Sequence, residues 1–124
     1  MGVLKPMYPG IDIIKIERFA QACDRRPRIR ERLFTERERA DLNDRPTSSW
    51  AARFAGKEAV LKSLGTGLTG LSWYDVEILT EKSGEPRVYL SLKAKDLAQK
   101  RNGSIVRISL SHEQEYAIAM AILV

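Results

Sequence analysis

Four side chains of this 124-residue chain invite a chemical reading together: Asp12, Lys57, Glu58 and Lys62. Asp12 stands between Ile11 and Ile13 in "GIDIIKI", a stretch otherwise suited to burial. A carboxylate buried without compensation is costly, so it needs a cation, hydrogen bonds or a metal ion. Lys57, Glu58 and Lys62 fall in "RFAGKEAVLKSLGTG", residues 53–67. Two arrangements satisfy these charges. In one, Asp12 and Glu58 bracket a hard cation, because Mg²⁺ takes one or two carboxylates and completes its octahedron with water and phosphate oxygens; Lys57 and Lys62 then neutralise the phosphates. In the other, the charges close on each other as ion pairs, Asp12 with Lys57 and Glu58 with Lys62, the latter well spaced on a helix. The residues alone leave both open.

Other candidates carry less. His112 is the only histidine, so no histidine-rich metal site exists; at the end of a strand it is either a structural residue or one with a catalytic or phosphate-contacting role. The single cysteine, Cys23, forms no internal disulfide and belongs to no zinc spacing. "GTGLTG" (65–70) spells G-x-G-x-x-G, but a dinucleotide fingerprint follows a strand and opens a helix, whereas this one follows a helix. It reads as a glycine stop with a loop whose amides can approach a ligand. "AGKEA" lacks the earlier glycine of a phosphate-binding loop and has Glu where Ser or Thr would hold magnesium.

The elements that must position these groups follow from periodicity and punctuation. Residues 10–16 are β-branched and read as a buried strand, and "ERFAQACDRR" as a short helix stopped by Pro27. Thr35 with Glu38 forms a capping-box pattern, opening a second helix that Asn43 to Pro46 ends. A third helix runs from about Thr47–Ser49 to Leu64, with Trp50, Phe54, Leu61 and Leu64 in one stripe and Lys57 inside it. Ala51, Ala55, Glu58 and Lys62 form the neighbouring strip, where small residues let something come close to the backbone. Residues 74–79 and 87–92 read as two strands about a turn at Ser83–Pro86, then a helix stopped by Asn102-Gly103. The strand 104–112 follows, and 116–124 reads as a last buried strand whose alanine face can lie against a helix. The expectation is an α+β fold: one domain over 1–124, with a small, mostly antiparallel sheet packed against a long helix.

Net charge is +5 and seven arginines crowd residues 25–39, so an anionic partner is expected. No window is long and apolar enough to span a membrane, and the N-terminus lacks a signal-peptide core. With one cysteine, that fits a reducing cytoplasm. The rival to a catalytic reading is a basic nucleic-acid-binding module. Its aromatics, however, are not interleaved with the basic residues as a stacking platform needs, and it leaves Asp12 and Glu58 unexplained.

Three segments, "GIDIIKIERF", "RFAGKEAVLKSLGTG" and "ISLSHEQEYAIAMAI", resemble in order and spacing the signature blocks of the phosphopantetheinyl transferases, most closely their short bacterial type. The resemblance covers almost the whole chain. It implies Mg-dependent transfer of the 4′-phosphopantetheine arm of coenzyme A to a serine of an apo acyl carrier protein, releasing adenosine 3′,5′-bisphosphate, in fatty-acid biosynthesis or in a polyketide or other specialised pathway. It implies Asp12 and Glu58 as ligands of Mg²⁺ (or Mn²⁺), and Lys62 at the phosphates. Arg53, Lys57, Lys62, Gly65, Thr66, Gly67, Ser111 and His112 would bind coenzyme A, and Arg18, Arg25, Arg28 and Arg32 the acidic carrier protein. The family's usual glycine two residues before "GID" is replaced here by Tyr8, with Pro9 between. Larger relatives carry a further carboxylate two residues after the aspartate; here that residue is Ile14, so water completes the metal shell. The short type also implies a homotrimer with active sites between subunits, and neither nucleic acid nor membrane as partner.

Overall fold

The computed structural model describes Lys5 and residues 7–124. Strand β1 (Tyr8–Lys15) leads without a break into helix α1 (Ile16–Arg25). Short helices α2 (Ile29–Leu33) and α3 (Glu36–Leu42) follow, then the 18-residue α4 (Thr47–Leu64). A 3-10 turn at Trp73–Asp75 precedes β2 (Val76–Thr80) and β3 (Pro86–Leu90); α5 (Leu92–Lys100), β4 (Val106–His112) and β5 (Tyr116–Leu123) complete the order.

The strands form two antiparallel sheets, β1-β5-β4 and β2-β3, rather than one. Each sheet face follows from alternation. On β5, Ala117, Ala119 and Ala121 are buried while Tyr116, Ile118 and Met120 point outward. On β1, Gly10, Asp12 and Ile14 share the inward side with their register partners Ala121, Ala119 and Ala117. The expectation of wholly buried first and last strands is therefore corrected: Ile11 and Ile13 are 59% and 62% exposed, on a face that nothing among the described residues covers.

Helix α4 starts after Pro46, whose fixed φ suits a helix entrance, and stops at Gly65, which takes the left-handed conformation at φ 83°. Its Ala-rich sequence is buried on nearly all sides. Ala55, Val60, Leu61 and Leu64 join Ala119, Ala121 and Leu123 in one apolar cluster, and Phe19, Phe34, Leu42 and Trp50 make a second around its first turns. The small strip of α4 thus receives the sheet, not a ligand, since Ala51 and Ala55 are fully buried. The closest approach is at Gly10, where any Cβ would lie 2.0 Å from the Ala59 carbonyl oxygen.

The capping box at Thr35 and Glu38 forms as expected. Helix α2 was not foreseen: five residues carry too little periodicity to mark it. Residues 74 and 75 belong to the 3-10 turn, not to the strand, because Ser72 caps that turn through Tyr74 N and Asp75.

Interior ion pairs join α3, α4 and β2. Glu38 accepts from Lys57 Nζ at 2.6 Å and from Ile78 N at 2.9 Å; Asp41 accepts from Arg53 Nη1 at 2.9 Å and from Thr80 N at 2.8 Å. Arg53 also donates to the Ile78 carbonyl. The side of β2 that does not pair with β3 thus meets side chains in place of a strand.

Candidate active site

Asp12 lies on the inward side of β1, two residues beyond Gly10. Because Gly10 lets the strand touch the backbone of α4 beside Ala59, Asp12 comes level with Glu58. The two carboxyl groups are close enough for one, when protonated, to hydrogen-bond the other. Burial first, then that hydrogen bond and the Asp12 charge, push Glu58 up to about 7, with Lys62 pulling the other way. Lys62, one turn on, donates to Asp12 Oδ1 at 3.2 Å and to the Ile11 carbonyl at 2.8 Å. So three of the four charges singled out in the sequence meet at one place.

The fourth does not. Lys57 is completely buried on another side of α4, paired with Glu38, and burial pulls its pKa down despite that partner. Both ion pairs drawn from the sequence are therefore replaced: Lys57 pairs with Glu38 rather than Asp12, and Lys62 with Asp12 rather than Glu58. Arg53 is likewise interior, on Asp41, Ile78 and Thr80, with its Nε alone lacking a partner. Burial works to raise Asp41, and the hydrogen bonds from Arg53 and Thr80 overcome it and hold its carboxyl below the ordinary range. Both Lys57 and Arg53 are buried and held by these partners, so within the described fold they serve as structural ion pairs. A lysine inside an apolar stripe was the visible signal; its partner Glu38, nineteen positions away, was hidden because it also looked like a capping residue.

Gly65, Thr66 and Gly67 continue from the end of α4 past Lys62, with Gly67 also at positive φ, 55°. Carboxylates, lysine and glycine loop thus follow one another along a single helix end. His112 does not join them within the chain. It pairs with Ala117, which pairs with Ile14, so it lies two strands across the sheet from β1; its side chain is exposed, and Ser111 points to the opposite, outer face. Next to that far edge, a groove of about 890 Å³ opens between β3 and β4, lined in part by Arg87, Tyr89, Lys95, Arg107 and Ile108.

The four arginines assigned to a carrier protein are exposed: Arg18 and Arg25 on α1, Arg28 and Arg32 at α2. Arg28 holds Glu31 at 3.0 Å. Other members of the run serve the fold. Arg30 stacks over Trp50 at 4.5 Å, Arg37 meets Glu77 at 3.3 Å, and Arg39 donates to the Phe34 carbonyl.

Two adjacent carboxylates beside a backbone carbonyl form a hard oxygen donor set, which suits Mg²⁺ better than any softer ion. Among the described residues no group of three or more His, Cys, Asp or Glu side chains is placed to hold a metal, so water or substrate would fill the other positions.

The family model described as the 4′-phosphopantetheinyl transferase superfamily matches residues 8–121. The chain belongs to that superfamily. Among curated relatives, holo-[acyl-carrier-protein] synthase of Moorella thermoacetica is 47% identical over 116 residues, covering 92% of this chain and 91% of the relative. That of Alkaliphilus metalliredigens is 44% identical over 115 residues, covering 91% and 94%. The structure superposes on Helicobacter pylori holo-[acyl-carrier-protein] synthase in complex with coenzyme A, with a TM-score of 0.83 and 31% identity over 94% of this chain and 99% of that one. A Bacillus anthracis synthase in complex with CoA (3′,5′-ADP) gives 0.78 and 33%, covering 95% and 97%. This transferase is thus an enzyme of the holo-[acyl-carrier-protein] synthase type, with the α+β fold of those structures. No helix among its described residues is long and apolar enough to cross a membrane.

Proposed function

We propose that this protein, acting as a single domain over residues 1–124, transfers 4′-phosphopantetheine from coenzyme A to a serine hydroxyl of an acyl carrier protein. The observation that carries the reading is the meeting of Asp12, Glu58 and Lys62 beside the glycine loop at the end of α4. Asp12 and Glu58 would hold Mg²⁺ (or Mn²⁺), which when bound supplies charge neutralisation and polarisation of the pyrophosphate. Lys62, half exposed next to them, adds a fixed positive charge for the phosphates, and Gly65, Thr66 and Gly67 offer backbone amides to the same ligand. Such transfer depends chiefly on positioning and charge compensation. The serine oxygen attacks the β-phosphorus, its proton passes to Glu58 directly or through water, and adenosine 3′,5′-bisphosphate leaves.

The second half of the site comes from another copy of the chain. Asp12 and Glu58 lie by β1, while His112, Ser111 and the groove lie at β4, the opposite edge of the three-stranded sheet. Between them the outer face of the sheet exposes Ile11, Ile13, Ile118 and Met120, with Ile11 opposite Met120 and Ile13 opposite Ile118. Such contiguous apolar surface marks an interface. Closing it head to tail around a three-fold axis would bring β1 of one subunit to β4 of the next and place His112 at the coenzyme A of its neighbour. The exposed arginines of α1 and α2, which begin just after β1, would receive the acidic carrier. The enzyme works in the cytoplasm, in fatty-acid biosynthesis.

Intact-mass measurement of an apo acyl carrier protein incubated with this protein, coenzyme A and Mg²⁺ tests the reading. A gain of one phosphopantetheine that disappears with EDTA supports it; no gain across several carriers, with folding confirmed, overturns it. Steep log-salt dependence of binding to generic DNA or RNA would instead favour a nucleic-acid-binding module.

A further inference from the structure

The carbonyl end of α4 is closed by a residue from a distant part of the chain. Arg101, just after α5, donates from Nη1 to the Ser63 carbonyl at 3.2 Å. Its guanidinium carbon sits 4.3 Å from the centre of the Tyr8 ring. A Cβ on Gly65 would lie 1.8 Å from Nη2, so the guanidinium fills the space that the glycine leaves open. The stem of Arg101 is itself fixed: Arg101 N and Gly103 N both donate to the Ala98 carbonyl, Asn102 turns through φ 60°, and Gly103 fits against Leu123.

Its hydrogen bonds go to neither Asp12 nor Glu58. What it touches are the elements that carry them. Tyr8 precedes Asp12 by four residues on the same side of β1; Ser63 follows Lys62; and Gly65 opens the loop of Thr66 and Gly67. The last carbonyls of a helix lack intrahelical partners and carry partial negative charge, an unfavourable neighbour for a polyphosphate. A guanidinium seated on them offsets that charge where the polyanion would lie.

We propose that Arg101 is a positioning residue for coenzyme A. Its planar guanidinium, held between Tyr8, Ser63 and Gly65, fixes β1 against the end of α4, and with it the spacing of Asp12, Lys62 and the glycine loop. The proposal rests on the coenzyme A reading above. Lysine in its place keeps the charge but not the flat stacking face or the fork of donors, so it recovers only part of the effect.

Steady-state kinetics of wild type, Arg101→Met, Arg101→Lys and Tyr8→Leu, beside their thermal midpoints, test it. Arg101→Met raises KM for coenzyme A roughly tenfold, as small displacements of a positioned site do, and leaves KM for the carrier protein unchanged. Arg101→Lys falls between it and wild type, and Tyr8→Leu shows the same split. Variants with native circular dichroism and wild-type KM for coenzyme A overturn the proposal. So do variants in which both KM values rise together in step with lost thermal stability. If Arg101→Met does not fold, Arg101→Lys and Tyr8→Leu carry the test. A wild type that transfers nothing from coenzyme A is a separate result: it removes the coenzyme A reading itself.

Discussion

On the proposed reading, Glu58 is the residue on which the chemistry and its pH dependence turn. Its carboxyl is raised from 4.5 to about 7 in the ligand-free fold, by burial first and then by Asp12. Between those values the folded state holds a proton that the unfolded chain has released, so stability falls as pH rises. The thermal midpoint of wild type minus that of Glu58→Gln should therefore decline from about pH 4.5 to beyond 7 and then level. Metal binding has the opposite sign, because a carboxylate must lose its proton to coordinate. Mg²⁺ affinity, measured by calorimetry in two buffers of different ionisation enthalpy, should strengthen through pH 7 with release of a proton. Glu58→Gln should fold and lose most transfer, and full activity in that variant would sink the metal assignment. Asp12 and Glu58 were legible in the sequence because a carboxylate among isoleucines, and another in a helix built for burial, both demand a partner. The fates of Lys57 and Arg53 were not, since nothing in a linear spacing tells which side of α4 meets the sheet and which meets α3.

At the scale of elements, the site exists because a strand and a helix touch backbone to backbone. Gly10→Ala would drive a methyl into the Ala59 carbonyl, which belongs to a rigid helix and cannot give way. The expected cost is about 3 kcal/mol by chemical denaturation, together with lost transfer, as β1 and Asp12 move away from Glu58. Ala59→Gly would not relieve it, because the clash is with backbone. On the other side of α4, Glu38→Ala strands Lys57 without its counter-charge and leaves Ile78 N unpaired, at a cost of about 3–5 kcal/mol. Helix ends were readable from capping chemistry at Thr35 and Gly65, and strand alternation gave the alanine face of β5. The division into two sheets was hidden, because pairing between distant strands leaves no local mark.

For the whole molecule, the two sides of the main sheet carry the argument for assembly. The chain buries the alanine side against α4 and leaves isoleucines and methionine open on the other. A charge in the middle of that surface, Ile118→Lys, should yield a folded monomer by light scattering with little transfer; a monomeric variant with full activity would place the whole site within one chain. In the proposed docking of the carrier, the exposed arginines act at a longer range. Arg18→Ala and Arg32→Ala should raise KM for the carrier, with turnover that weakens as salt increases, and leave KM for coenzyme A unaltered. The arginine run in the sequence promised one cationic surface, yet Arg30, Arg37 and Arg39 went to Trp50, Glu77 and Phe34, where flat guanidinium groups close the fold.

The outer edge of β2 has a consequence for how this protein survives crowding. An unpaired strand edge is a template for a stranger's strand, and hence for fibrils. Here Glu38 and Asp41 occupy the amides of Ile78 and Thr80 and Arg53 the Ile78 carbonyl, so these groups, which would recruit another chain, are already satisfied by charged side chains that no incoming backbone displaces cheaply. The same three side chains that hold α3 and α4 to the small sheet also make it a poor seed for aggregation.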